Sequence, residues 1–247
     1  MILGIESFRE MFSGFDDCYT VIGGSACDIL MTEAGLDFRA TKDIDMILIL
    51  EARSSEFAQT LWQYIREGHY RCGWKNSDSV CFYRFTDPKA GYPSMIELFS
   101  RDPGYELSVP SDIVPIHIDD NVSSLSAILL NDDFYKFMLA GRKTIDGINV
   151  LEAEYLIPFK MYAWLNHKDR KAAGLHVNDK DIKKHKNDVF RLLQIVTPDR
   201  RIETNGLVRD VTVRFLSEIE AEDIPFKQMG LPFTKDEALS YLRDIYI

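Results

Sequence analysis

The chain has 247 residues, of which 46% are hydrophobic and 28% are charged. This composition excludes a mainly disordered protein, and the absence of any run of about 18 apolar residues excludes a membrane-spanning helix. The formal net charge of −10 argues against a protein that binds nucleic acid over its whole surface, because phosphate neutralisation needs clustered lysine and arginine.

The first half of the chain alternates β-rich runs with helical patterns. Tyr19–Ile22 predicts a strand that ends at Gly23-Gly24, and the spacing Ser25-x-x-Asp28 predicts a capping box that opens a helix reaching about residue 34. Residues 43–50 predict a central strand, because they are apolar on both faces after the first three positions.

Further along, the pattern predicts a helix over 54–67 and two antiparallel neighbouring strands over 79–85 and 94–99. The second half has apolar residues at helical spacing over 151–173, 179–196 and 208–221. We expect the first of these helices to start near Pro158, with the proline in its first turn. A last helix is expected over 235–246, with Thr234 as its N-cap.

The order of elements predicts an α/β (α+β) fold in two domains. Residues 1–130 are expected to form a mixed β-sheet with flanking helices, and residues 131–247 a mainly helical C-terminal domain. We expect the active site in the cleft between them.

Two short motifs point to phosphate and metal chemistry. Gly23-Gly24-Ser25 stands at a strand-to-helix turn, where glycine lets backbone N–H groups approach an anion and the helix N-terminus favours negative charge. Asp43 and Asp45 alternate with Ile44, which places both carboxylates on one strand face, about 6 to 7 Å apart along it. Such carboxylates hold Mg²⁺ together with substrate phosphates. Each motif alone is common in turns and strand ends, so the conjunction carries the prediction.

Glu97 is a candidate for a third metal-binding carboxylate. It stands in the apolar run Met95-Ile96-Glu97-Leu98-Phe99, where an unpaired charge would be unfavourable. Either a metal ion or a lysine partner would explain an acid at this position.

These residues resemble the nucleotidyltransferase superfamily with a polymerase-beta-like fold, most closely its abortive-infection and type IV toxin–antitoxin branch. The resemblance rests on residues 19–26 and 39–47, and continues in the segments around Lys160, Arg170 and 184–192. It implies Gly23, Gly24 and Ser25 at the nucleotide phosphates, two Mg²⁺ ions on Asp43, Asp45 and Glu97, Lys160 facing the triphosphate, and Asp188 either paired with Lys160 or contacting the nucleotide. Arg39 and Lys42 flank the acidic motif, where a phosphate contact and a surface role are both open.

The function implied by the resemblance is Mg²⁺-dependent transfer of a nucleoside monophosphate from an NTP to an acceptor hydroxyl, in a toxin-like protein with an antitoxin as a possible partner. The acceptor could be RNA, protein or a small molecule. Two alternatives are an antibiotic adenylyltransferase and a binding module that has kept the fold and lost catalysis. No membrane partner is expected.

The remaining polar features are expected to be less specific. Residues 160–191 carry nine lysines and arginines against four aspartates, which indicates either a solvated helical face or an anion-facing surface. His185, between two lysines, is expected on a solvated face, without zinc. The four cysteines, Cys18, Cys27, Cys72 and Cys81, are expected to be buried thiols of a cytoplasmic protein.

Overall fold

The computed structural model of the chain describes residues 2–39, 41–49, 54–77, 80–100, 115–116 and 131–247. Within these residues there are eight helices, α1 (Ile5–Met11), α2 (Gly23–Glu33), α3 (Ser54–Glu67), α4 (Asp132–Ala140), α5 (Ala153–Ala172), α6 (Asp179–Leu193), α7 (Gly206–Ile219) and α8 (Lys235–Tyr246). The same residues contain eight strands, β1 (Tyr19–Ile22), β2 (Asp43–Leu48), β3 (Arg71–Ser77), β4 (Val80–Thr86), β5 (Met95–Ser100), β6 (Pro115–Ile116), β7 (Arg142–Ile145) and β8 (Ile148–Leu151).

The described strands form one mixed sheet in the order β6-β3-β4-β5-β2-β1-β8-β7. Strand β2 lies at its centre, parallel to β5 and antiparallel to β1. The predicted α/β class is therefore confirmed, and the expected antiparallel pairing of the two strands that precede residue 101 is confirmed as β4 and β5.

The chain divides into two compact units. The first contains residues 1–130 and 142–151, and the second contains residues 131–141 and 152–247. The hairpin β7–β8, which the sequence-based boundary left in the second domain, belongs to the first unit because β8 pairs in parallel with β1. Asn149 on β8 accepts a 2.9 Å hydrogen bond from the buried hydroxyl of Thr20 on β1, which ties this strand to the sheet.

The core of the first unit is rich in aromatic side chains. Phe8, Phe12, Tyr19, Phe57 and Tyr64 are buried and in mutual ring contact, and they join α1, β1 and α3. Such a cluster removes a large apolar area from water.

The cysteines whose side chains the structure describes are buried, namely Cys18, Cys27 and Cys72. The side chain of Cys81 lies outside the described part. Among the described helices, none is both long enough and apolar enough to cross a membrane.

The predicted capping box at Ser25 is wrong. Helix α2 begins at Gly23, and its N-cap residue Ile22 provides no side-chain hydrogen bond. The hydroxyl of Ser25 donates instead to the backbone carbonyl of Asp43, which ties the first turn of α2 to the start of β2. Helix α8 shows the predicted cap, since the Thr234 side chain accepts from the backbone of Glu237 in a complete capping box.

The prediction that Pro158 lies in a first turn is also wrong. Helix α5 begins at Ala153, so the proline stands in its interior and cannot donate to the carbonyl of Glu154. The buried hydroxyl of Tyr246 donates to that carbonyl over 2.6 Å. A partner from α8 thus compensates for the hydrogen bond that the proline removes.

Candidate active site

Three charged side chains lie side by side across the sheet of the first unit. Asp45 on β2 is in register with Glu97 on β5, and Glu97 is in register with Arg84 on β4. Register partners on adjacent strands point to the same face of a sheet, with strands about 4.8 Å apart. We refer to Arg84, Glu97 and Asp45 as the cross-strand row. Asp43 joins the same face by alternation, while Ile44 between the two aspartates is fully buried.

The N-terminus of α2 meets this row at Gly23. Its backbone has φ +69°, a left-handed conformation, and a Cβ built on it would overlap the Oδ2 atom of Asp45. Glycine is therefore needed twice here, for the backbone angle and for the space that the carboxylate takes.

Two polar side chains stand beside Gly24 in the same turn. A Cβ on Gly24 would lie 3.1 Å from the hydroxyl oxygen of Thr41 and 3.4 Å from Nη2 of Arg39. Lys42 is exposed. Arg39 therefore lies where an anion at the helix N-terminus could be reached. Thr41 shares this position, which its sequence context does not indicate, because a lone threonine before an acidic motif carries no signal.

Glu97 is paired with arginine, not with lysine. Nε and Nη2 of Arg84 lie 2.7 and 2.6 Å from the same carboxylate oxygen, Oε1. The Glu97 side chain is 7% exposed and that of Arg84 is 29% exposed. An ion pair therefore explains the buried acid without a metal ion. Arg84 could have been noticed as a charge inside a β-rich run, but its partner depends on strand register.

The predicted metal ligands Asp43, Asp45 and Glu97 share one sheet face, and their hard carboxylate oxygens are of the type that Mg²⁺ prefers. Within the described residues, however, no three His, Cys, Asp or Glu side chains come together as a group that could hold a metal. The donor types fit magnesium, and Glu97 is directed to Arg84.

The chain is similar in structure to several solved proteins. An antigenic nucleotidyltransferase-like protein from Paracoccidioides brasiliensis aligns over 100% of this chain and 96% of its own, with 12% identity and a TM-score of 0.46. The antibiotic-resistance factor ANT(2'')-Ia aligns over 88% of this chain and 93% of its own, with 11% identity and a TM-score of 0.41. No protein-family model and no curated protein matches the sequence.

In the second unit, Lys160 and Asp188 form a buried pair between α5 and α6. Nζ of Lys160 lies 3.5 Å from Oδ2 of Asp188, and the two side chains are 4% and 0% exposed. Nη1 of Arg191 lies 3.5 Å from the other oxygen, Oδ1. Of the two roles expected for Asp188, this geometry shows the pairing with Lys160, and Asp188 is held between two cations.

The basic stretch is largely neutralised by acids within the same unit. Lys186 contacts Glu222 over 2.9 Å, Lys168 contacts Glu218 over 3.0 Å, and Lys171 is paired with Asp179. Lys168, Lys171 and Lys186 line a cavity of about 650 Å³ together with Glu222 and Asp179. The mixed charge of this lining favours the interpretation as a solvated helical face over an anion-binding surface.

The sequence predicted that His185 lies on a solvated face, and this prediction is wrong. His185 is partly buried against the ring of His167, with centroids 5.2 Å apart and planes at 14°. Burial lowers the pKa of His167, which favours its neutral imidazole. The two histidines therefore pack as a stacked pair.

Proposed function

We propose that the chain is a nucleotidyltransferase, which transfers a nucleoside monophosphate from an NTP to an acceptor hydroxyl. The observation that carries this proposal is that Gly23, the first residue of α2, lies directly against the carboxylate of Asp45. A helix N-terminus and a carboxylate are therefore adjacent. Backbone N–H groups at a helix N-terminus bind phosphate, and carboxylates bind the divalent cation that accompanies it. A metal-bound nucleoside triphosphate is a ligand that uses both features together.

The first turn of α2 would bind the phosphates. Backbone N–H groups at Gly24 and Ser25 are the donors, and the side chains of Arg39 and Thr41 beside Gly24 would add to them. The Ser25 hydroxyl has a positioning role, because it is used to hold α2 against Asp43. Lys42, being exposed, would contribute charge at the periphery.

Asp43 and Asp45 would hold Mg²⁺, with Glu97 as a third carboxylate. When bound, two such ions neutralise charge on the phosphate oxygens during displacement at phosphorus. Asp45 would accept the proton of the acceptor hydroxyl while the oxygen of that hydroxyl bonds to the α-phosphorus. The bond from that phosphorus to the bridging oxygen breaks, and pyrophosphate leaves.

For Lys160 and Asp188 the proposal rests on the resemblance of their helices to those of the toxin branch. Lys160 would contact the triphosphate, oriented by Asp188. The same resemblance extends the proposal to a toxin-like activity with an antitoxin protein as partner.

A second candidate is a binding module that has lost catalysis. The pairing of Glu97 with Arg84 favours it, because a third acid that only completes an ion pair would leave two carboxylates for metal. Such a module would bind nucleotide weakly and transfer nothing.

The test is incubation with each NTP labelled at the α-phosphate, in Mg²⁺, with RNA, protein and small-molecule fractions that include aminoglycosides. We expect label in one fraction, none from γ-labelled NTP, and loss of transfer in Asp43→Asn and Asp45→Asn. Asp37→Asn removes the same charge from an exposed site nearby and should leave transfer intact. If no label is transferred and nucleotide affinity does not depend on Mg²⁺, the chain is the binding module that has lost catalysis.

A further inference from the structure

Glu97 has a potential partner on each side in the cross-strand row. Arg84 occupies one flank and Asp45 the other, both in direct register with it. The carboxylate is directed to Arg84, and both guanidinium contacts go to a single oxygen, Oε1. A metal ion held by Asp45 would draw the same carboxylate in the opposite direction.

We propose that Arg84 is a positioning residue that competes with the divalent cation for the charge and orientation of Glu97, so that Glu97 binds metal weakly until the guanidinium is displaced. This inference rests on the proposed function, since it requires a metal at Asp43 and Asp45. It adds a residue and a mode of control that the acidic motif itself does not contain.

Charge and burial both favour competition over a purely structural pair. A guanidinium contacting Glu97 cancels most of its negative charge and repels a second cation at short range. Glu97 is nearly inaccessible, so it cannot turn to water when it leaves Arg84 and has to exchange one cation for another. Arg84 is partly exposed, so its charge can be solvated after displacement.

The consequence is weak metal binding in the absence of nucleotide. Asp43 and Asp45 then act without the third acid, and the phosphates of a metal-bound NTP supply the additional attraction that displaces Arg84. Free metal therefore binds less tightly than the donor set would allow.

The experiment measures Mn²⁺ affinity of the nucleotide-free protein by titration calorimetry and electron paramagnetic resonance. We expect Arg84→Met to raise the affinity about tenfold, which corresponds to about 1.4 kcal/mol. The double variant Arg84→Met with Glu97→Gln should lose this gain, because the released carboxylate is gone. Arg71→Met, which removes an exposed arginine paired with Asp87 just after the end of β4, is the matched control and should bind as wild type.

Arg84→Lys covers the case in which Arg84→Met fails to fold. Lysine keeps the charge without the two-nitrogen contact, so we expect a smaller gain of about two- to threefold in affinity. Unchanged or weaker binding in the Arg84 variants, with binding still lost in Asp43→Asn, would overturn the competition and leave the metal site in place. Mn²⁺ binding indifferent to Asp43 and Asp45 in every variant would overturn both proposals.

Discussion

Gly23 is required to be glycine for two reasons, its left-handed backbone angle and its close contact with Asp45. We expect Gly23→Ala to destabilise the first unit, by about 1 to 2 kcal/mol for the left-handed backbone and roughly 1 to 3 kcal/mol more for overlap with Asp45. Gly35 has φ +71° and nothing within 4 Å of an added Cβ, so Gly35→Ala isolates the backbone contribution. Denaturant unfolding of both variants gives the difference, and equal losses would show that Asp45 moves aside freely.

The buried pair of Lys160 and Asp188 leads to a second prediction at this scale. We expect Lys160→Met to lower the free energy of unfolding by less than the ~3 to 5 kcal/mol of an uncompensated buried charge, because Arg191 still contacts Asp188. The double variant Lys160→Met with Asp188→Leu should recover much of the lost free energy of unfolding. Lys143→Met, in an exposed pair with Glu33, should lower it by at most about 1 kcal/mol. Additive losses in the double variant would contradict a coupled pair.

Residue patterns predicted the faces of strands better than they predicted which side chains form pairs. The alternation of Asp43, Ile44 and Asp45 can be read from the sequence alone. Successive side chains of a strand point to opposite faces of the sheet, so the two aspartates are predicted to share one face. The pairing of Glu97 with Arg84 depends on which strand lies beside β5 and in what register, and local sequence does not contain that information. For the same reason Thr41 and Arg39 could not be placed beside Gly24 in advance.

Among the elements, α6 carries most of the lysines of the stretch for which an anion-facing surface was one of the two interpretations. Lys184 lies 3.8 Å from Asp181 and Lys186 contacts Glu222, so much of their charge is already balanced. We expect Gln substitution of Lys180, Lys183, Lys184 and Lys186 to have little effect on the slope of log K against log salt for RNA binding. One phosphate contact contributes about 0.7 to 0.9 to this slope, and the change should be smaller than that.

The matched control removes four exposed lysines elsewhere, namely Lys89, Lys136, Lys143 and Lys227. Both quadruple variants should behave alike in filter binding across a salt series. A slope that falls by two or more contacts in the α6 variant alone would establish an RNA-binding face.

Helices α5 and α7 are linked by an ion-pair network whose strength depends on pH. A hydrogen bond from Arg214 lowers the pKa of Asp169. Burial raises the pKa of Glu218, but hydrogen bonds from Lys168 and Arg214 outweigh it, and the net pKa is lowered. Acids with a lowered pKa stabilise the folded state above their unfolded values, near pH 4, and lose this contribution as pH falls through the folded pKa.

We therefore expect Arg214→Met to be less stable than wild type at pH 7, by no more than about 1 kcal/mol for such exposed pairs. The difference should shrink as pH falls below about 4 and the carboxylates are protonated. Arg209→Met, an exposed arginine on the same helix, is the control. Denaturant unfolding at several pH values measures both, and a difference that persists at pH 2 would assign the effect to packing of the arginine stem.

At the scale of the whole molecule, the chain crosses between its two units more than once. Helix α4 belongs to the second unit, through the contact of Phe134 with Phe159 and the hydrogen bond from the Leu207 backbone to Asp133. The hairpin β7–β8 then returns to the first unit. Helical periodicity marked the second half correctly as helical, but two four-residue strands within it carry too little pattern to be seen.

This crossing predicts that neighbouring segments of the sequence unfold with different units. Met46→Ala in β2 and Phe215→Ala in α7 each remove a fully buried side chain, at a cost of about 2 to 5 kcal/mol. Native-state hydrogen exchange should then show faster exchange of 142–151 amides, and not of 132–140, in Met46→Ala, because the hairpin opens with the sheet. Phe215→Ala should give the reverse pattern, since α4 opens with the helical unit. If both segments accelerate together in either variant, the two units unfold as one cooperative structure, and the division at these residues has no thermodynamic meaning.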